Sequence, residues 1–128
     1  MNKESLDKLI TEEVLKTSGF INIDERDVKN LRQKSAFVDG KKSTGHPSEL
    51  RAMIENAVSQ MENEHEQVSK HALLVIKQST GKELKMDDIM SISEVFSEKR
   101  DDFDFVWGIS TDSNLSSDNI SIILLLGF

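Results

Sequence analysis

Cysteine is missing from all 128 residues, so neither a disulfide nor a thiolate-held metal can contribute to this chain. That absence fits a reducing compartment. Proline occurs once, at Pro47, closing a polar stretch from Gly40 that also holds two glycines and reads as a loop. No hydrophobic run is long enough to span a bilayer. The longest, Ile120 to Phe128 with one serine, suits a buried strand instead. Basic residues are outnumbered, 16 to 23, giving a formal net charge of −7. A nucleic acid would be repelled by that field unless a local basic patch overrode it. The two basic pairs, Lys41-Lys42 and Lys99-Arg100, each lie beside acids and read as solvated surface. No nucleic-acid partner is expected. Met1 to Glu13 is charged and helical in pattern, unlike a signal peptide, so the expected location is cytoplasmic with no direct membrane contact.

What is present is one domain's worth of alternating elements. A chain of this length buries roughly two-thirds of its unfolded surface, enough for a single core without staples. Leu6, Leu9, Ile10 and Val14 recur at helical spacing from Lys3 to about Lys16, and Thr17-Ser18-Gly19 stops that helix. Val28 and Leu31 give the core face of a second, short helix with Asp24 as its N-cap. Ala36-Phe37-Val38, within Ser35–Asp39, is a candidate strand. Leu50, Met53, Ile54, Ala57, Val58 and Met61 mark the clearest helix, capped by Ser48, and Met61 to Ser69 reads as an acidic loop. His71 to Gln78 contains Ala72-Leu73-Leu74-Val75-Ile76, continuous rather than alternating, as expected for a strand covered on both faces or packed at mid-sheet. Ser79-Thr80-Gly81 is a turn. Asp87 or Asp88 opens a helix with Ile89, Ile92, Val95 and Phe96 inward. Phe103, Phe105 and Trp107 alternate along a strand, and Ile120 to Leu126 is the last and most apolar one. The order α-α-β-α-β-α-β-β predicts an α+β, two-layer α/β sandwich: a mixed four-stranded sheet with helices packed against it. The last two strands can pair antiparallel across Ser110–Asn119.

Several side chains invite chemistry and lose to a plainer reading. Ser79-Thr80-Gly81-Lys82-Glu83 mimics part of a phosphate loop but lacks its first glycine and the Ser/Thr after lysine. His46, His65 and His71 share no ligand spacing, although Glu64 and Glu66 flank His65. They read as surface residues, and no metal site is expected. Trp107 on an alternating strand reads as sheet-face packing. Met53, Met61, Met86 and Met90 lie on helix faces and read as core filler.

The most informative segment is Gly19-Phe20-Ile21-Asn22-Ile23-Asp24-Glu25-Arg26-Asp27, an apolar loop running into Asn-x-Asp-x-x-Asp between two amphipathic helices. Two carboxylates three residues apart at a helix start can cap the helix and complement its dipole. They can equally orient a water. This loop resembles one in the bacterial tubulin homologue FtsZ, whose consensus is Gly-Leu-(Ile/Met)-Asn-(Leu/Val)-Asp-Phe-Ala-Asp-Val. Gly45–Gln60, Leu73–Gly81, Leu84–Phe96, Phe103–Gly108 and Ile120–Phe128, down to the closing Gly127-Phe128, also resemble the family's C-terminal domain in order.

The resemblance implies that residues 1–16 are the end of an interdomain helix and 17–128 the C-terminal domain of a cell-division cytoskeletal GTPase. The loop would reach the nucleotide of the adjacent filament subunit, with Asp24 and Asp27 orienting the attacking water and Asn22 supporting the loop or touching nucleotide. Longitudinal contact with FtsZ-type subunits would run through Gly19–Asp27. This chain would bind no cofactor itself. GTP and Mg are implied for an N-terminal domain whose glycine-rich loop has no counterpart here, so the isolated chain is expected to be no enzyme and to supply half of an intersubunit site. Glu25-Arg26 stands where the family has Phe-Ala, which replaces an apolar contact residue by charge. Two alternatives remain open: a stand-alone module that caps or regulates such filaments, and a diverged regulator that binds a small molecule or protein in a cleft.

Overall fold

The structure, a computed structural model, describes residues 3–15, 23, 25–79, 84, 86–97, 103–112, 115 and 118–128. Its framework is a four-stranded mixed sheet of β1 (Val38–Gly45), β2 (His71–Gln78), β3 (Asp104–Thr111) and β4 (Ile120–Gly127), in the order β1-β4-β2-β3. β4 runs antiparallel to both neighbours, Gly127 lying opposite Val38 on one side and His71 on the other. β2 and β3 are parallel, with His71 opposite Asp104 and Gln78 opposite Thr111. Their connection crosses over through α4 (Met86–Ser97), as a parallel pair requires.

Helices cover both faces of the sheet. On one, α3 (Leu50–His65) and α4 bury Leu50, Ile54, Ala57, Val58, Met61, Ile92, Val95 and Phe96 against Ala72, Leu74 and Ile76 of β2 and the even-numbered residues Ile120–Leu126 of β4. On the other, α1 (Lys3–Leu9) and α2 (Glu25–Lys34) place Leu6, Val28 and Leu31 over Leu73, Val75, Ile123 and Leu125. This explains why the apolar runs Ala72–Ile76 in β2 and Ile122–Leu126 in β4 do not alternate. Successive side chains point to opposite faces, and here both faces are dry. Each fully buried Leu or Ile stabilises the fold by about 1.5–3 kcal/mol. α1 continues as a wider π-type helix over Ile10–Leu15, and Ile10 is buried with Leu6. Trp107 and Phe105 pack half-buried against the α3–α4 core.

Five expectations are corrected. β1 lies at Val38–Gly45, not Ser35–Asp39, so most of the segment read as a loop is an edge strand. Its side chains say little because, among the described residues, only β4 pairs with it, and lysines along an open edge discourage further pairing. β3 does not pair with β4. With all eight of its residues buried, β4 takes an inner position, while β3, with Asp104 and Thr111 exposed, takes the edge. The helix of Met61 runs on to His65 and ends at left-handed Glu66, φ 53°. Beyond it the Glu62 carboxylate accepts from both the N–H and hydroxyl of Ser69, at 2.7 Å each, which shapes the acidic segment. Met90 is 56% exposed and fills no core among the described residues. The turn expected at Ser79–Gly81 and the end of the first helix fall largely outside the described residues.

The fifth correction is the cap. A 3-10 turn, Pro47–Glu49, precedes α3 and is closed by His46 rather than Ser48. The Nδ1 of His46 accepts from the Ser48 N–H at 3.2 Å, and the Glu49 carboxylate accepts from the His46 N–H at 3.1 Å. Reciprocal bonds of this kind satisfy backbone donors that a helix start leaves orphaned. His46→Ala should therefore lower stability by about 1 kcal/mol in urea unfolding. An unchanged midpoint would show that these bonds contribute nothing.

Candidate functional site

The loop that carries the Asn-x-Asp-x-x-Asp motif meets the structure at its far end. Residues 16–22 and Asp24 lie outside the described residues, and with them Asn22, Asp24 and the expected domain boundary at 16/17. Asp27 is described. It sits half-buried in the first turn of α2, where the helix dipole favours a carboxylate. Its groove is small, about 90 Å³, and is shared with Lys34 further along α2, His71 at the start of β2 and Asp104 at the start of β3. Lys34 bonds Asp104 at 3.0 Å, and His71 Nδ1, buried and without a hydrogen bond, lies 3.7 Å from the same carboxylate. Nothing in their sequence positions, each at an element's end, signals that Lys34, His71 and Asp104 converge on Asp27.

Glu25 and Arg26 leave the same helical turn in a different direction. Both are exposed and line a groove of about 750 Å³ between α1 and α2, with Asp7, Ile10, Lys29 and Arg32. One turn of helix thus divides its side chains. Asp27 faces the strand ends, and the charged pair Glu25-Arg26 faces outward along α1.

A second cluster lies where β1 leaves α2. Asp39 is buried, and its carboxylate accepts from the Gly40 N–H at 2.8 Å and lies 2.8 Å from His65 Nε2. Burial pushes the Asp39 carboxyl up. Hydrogen bonds from the His65 ring and the Gly40 N–H are among the contacts that outweigh it, holding Asp39 below the usual carboxylate range. The His65 ring is wedged against Phe37 and Phe128, at 4.8 and 5.2 Å between centroids, and those two rings stack on each other at 4.9 Å. Beside them opens a cleft of about 460 Å³ lined also by Leu6 and Arg32. The surface reading of the histidines is therefore corrected for two of three. His65 and His71 side chains are 26% and 20% exposed, and only His46 is a surface residue. His65 was obscured because the helix was expected to end before it, and Asp39 because its strand was read as a loop.

No protein-family model matches the sequence, and no curated protein matches it. Solved structures do. An empty FtsZ dimer from M. jannaschii superposes with a TM-score of 0.58 at 22% identity, over 96% of this chain and 34% of that one. A tryptophan-to-tyrosine variant of FtsZ from the same organism gives 0.57 at 22%, over 96% and 36%. The GDP-bound CetZ1 monomer from Haloferax volcanii gives 0.57 at 12%, over 98% and 40%. The chain thus spans between a third and two-fifths of the length of these proteins. Among the described residues no helix is long and apolar enough to cross a membrane. At such identities the likeness speaks to architecture, and the architecture of this chain is that of the C-terminal domain of FtsZ-type proteins.

Proposed function

We propose that this chain is the C-terminal domain of an FtsZ-type cytoskeletal GTPase and supplies the loop that activates hydrolysis on an adjacent subunit. The observation that carries the reading is a coincidence of two independent features. The fold matches FtsZ over 96% of the chain, and the Asn-x-Asp-x-x-Asp motif falls at the connection into α2, ending on Asp27 in its first turn. That the matched proteins include an FtsZ dimer and a GDP-bound CetZ1 supports subunit contact and a guanine nucleotide for this chain's assembly. The nucleotide and Mg belong, on this reading, to a domain outside the chain. Asp24 and Asp27 would orient a water and accept its proton, and Asn22 would hold the loop. Phosphoryl transfer leaves little else for a protein to do than position and stabilise charge. Cell division and a cytoplasmic setting follow from the same reading.

In a polypeptide carrying both domains, Asp27→Ala should lower GTPase turnover by ~10²-fold or more and leave nucleotide affinity intact. An unchanged rate would leave Asp27 a helix-capping residue. The exposed Glu25-Arg26 pair favours a second reading, a diverged regulator that keeps the fold without joining filaments, because charge there opposes tight longitudinal packing. Mixing the chain with polymerising FtsZ separates the two. Altered filament length or GTPase rate supports docking through the loop, and unaltered filaments and rate support the diverged regulator.

A further inference from the structure

We propose that Asp39, Glu64 and His65 bind a divalent transition-metal ion of the zinc type beside the cleft that Leu6, Arg32 and Phe37 line. One donor atom from each of the three residues lies within 4.8 Å of the others. Around zinc, with metal–ligand bonds of about 2.0–2.2 Å, tetrahedral donors stand roughly 3.4 Å apart. The Asp39–His65 separation of 2.8 Å is slightly shorter than that, so an ion enters by parting this pair a little and drawing in Glu64. Glu64 is exposed in the last turn of α3 and moves at low cost.

Two of the three ligands are already fixed. Asp39 is held by the Gly40 N–H and by its place in β1, opposite Leu126 of β4. His65 is held by the Phe37 and Phe128 rings. Such preorganisation separates a built site from chance proximity of surface groups, because little ordering entropy is lost on binding. Two carboxylates bring two negative charges to a dication. Arg32, which lines the cleft, is already bonded to Asp7. One imidazole and two carboxylates, without thiolate, suit Zn²⁺, Co²⁺ or Ni²⁺ better than the hard Ca²⁺, which takes six or more oxygens. Three protein ligands leave a fourth position open toward the cleft, the pattern of an exchangeable rather than a closed structural site. The inference is independent of the loop at 19–27 and of whether the chain joins filaments.

The test is calorimetric titration of the chelator-treated full chain with Zn²⁺, paired with Co²⁺ addition read by visible absorption. One ion should bind, Co²⁺ should give the intense bands of a low-coordinate site, and Glu64→Gln and His65→Gln should each weaken binding about 10-fold or more. Absence of Zn²⁺ uptake overturns the proposal. So does uptake undiminished in either variant, since the ion is then held elsewhere. Glu64 is exposed and caps no helix among the described residues, so Glu64→Gln decides the matter alone if His65→Gln does not fold.

Discussion

Leu124→Ala should destabilise the domain by about 2–5 kcal/mol, a large part of the ~5–15 kcal/mol that holds a domain of this kind together. Leu124 is fully buried at the middle of β4, opposite Lys41 of β1 and Leu74 of β2. Its side chain points into the core shared by α3 and α4. The cavity left by truncation has no easy route to collapse, because hydrogen-bonded strands fix the backbone on both sides and two helices close the face above. The loss therefore includes both the transfer of the missing carbons and an unrelaxed void. Circular dichroism should record a melting temperature about 8–20 °C lower. Met90→Ala, at an exposed position on α4, is the matched control and should change stability by less than about 0.5 kcal/mol. A loss below ~1 kcal/mol at Leu124 would mean that β4 is not the centre of the sheet.

That β4 would be a buried strand was legible in its composition, but its neighbours were not. Local pattern reports how a segment treats its own two faces. It does not report which strand lies alongside. α3, α4 and the core face of α2 were readable because burial on one face imposed periodicity on them, and β2 because burial on both faces gave it an unbroken apolar run. β1 was unreadable for the opposite reason. Lys41, Lys42, Ser43 and Thr44 form a strand through backbone bonds to β4, and backbone bonds leave little trace in side-chain chemistry. The candidate site divides in the same way. Asp27 stands out in the sequence because it belongs to a contiguous motif. Asp39 and His65, 26 residues apart and joined only by folding, do not. Lys34, His71 and Asp104, which share the groove of Asp27, are likewise assembled from three separate elements.

Gly127→Val should cost about 3 kcal/mol, near the upper end for overpacking, and the reason lies in how α2 is seated. A Cβ on Gly127 would collide with the Ser35 hydroxyl and lie 3.0 Å from Leu31 Cδ1 and 3.1 Å from Ser35 Cβ. Neither side can yield easily. The Gly127 carbonyl accepts from the Lys70 N–H at 2.8 Å, and the Ser35 hydroxyl donates to the Leu31 carbonyl at 2.7 Å. Ala36 N–H donates to the Phe128 carbonyl at 2.7 Å and Phe128 N–H to that of Phe37 at 3.0 Å, stitching the end of α2 to the end of β4. The closing Gly127-Phe128 thus has a local physical cause. The glycine lets α2 approach the sheet, and the phenylalanine stacks on Phe37 and meets the His65 ring at a tilt. Ser35→Gly removes both the hydroxyl and the Cβ in the way. Combined with Gly127→Val it should recover about 1 kcal/mol or more, measured as non-additivity in a double-mutant cycle. Strict additivity would mean that α2 shifts freely over the sheet. In that case Asp27, seven residues upstream of Lys34 on the same helix, would not be held in a fixed position for the role proposed for it.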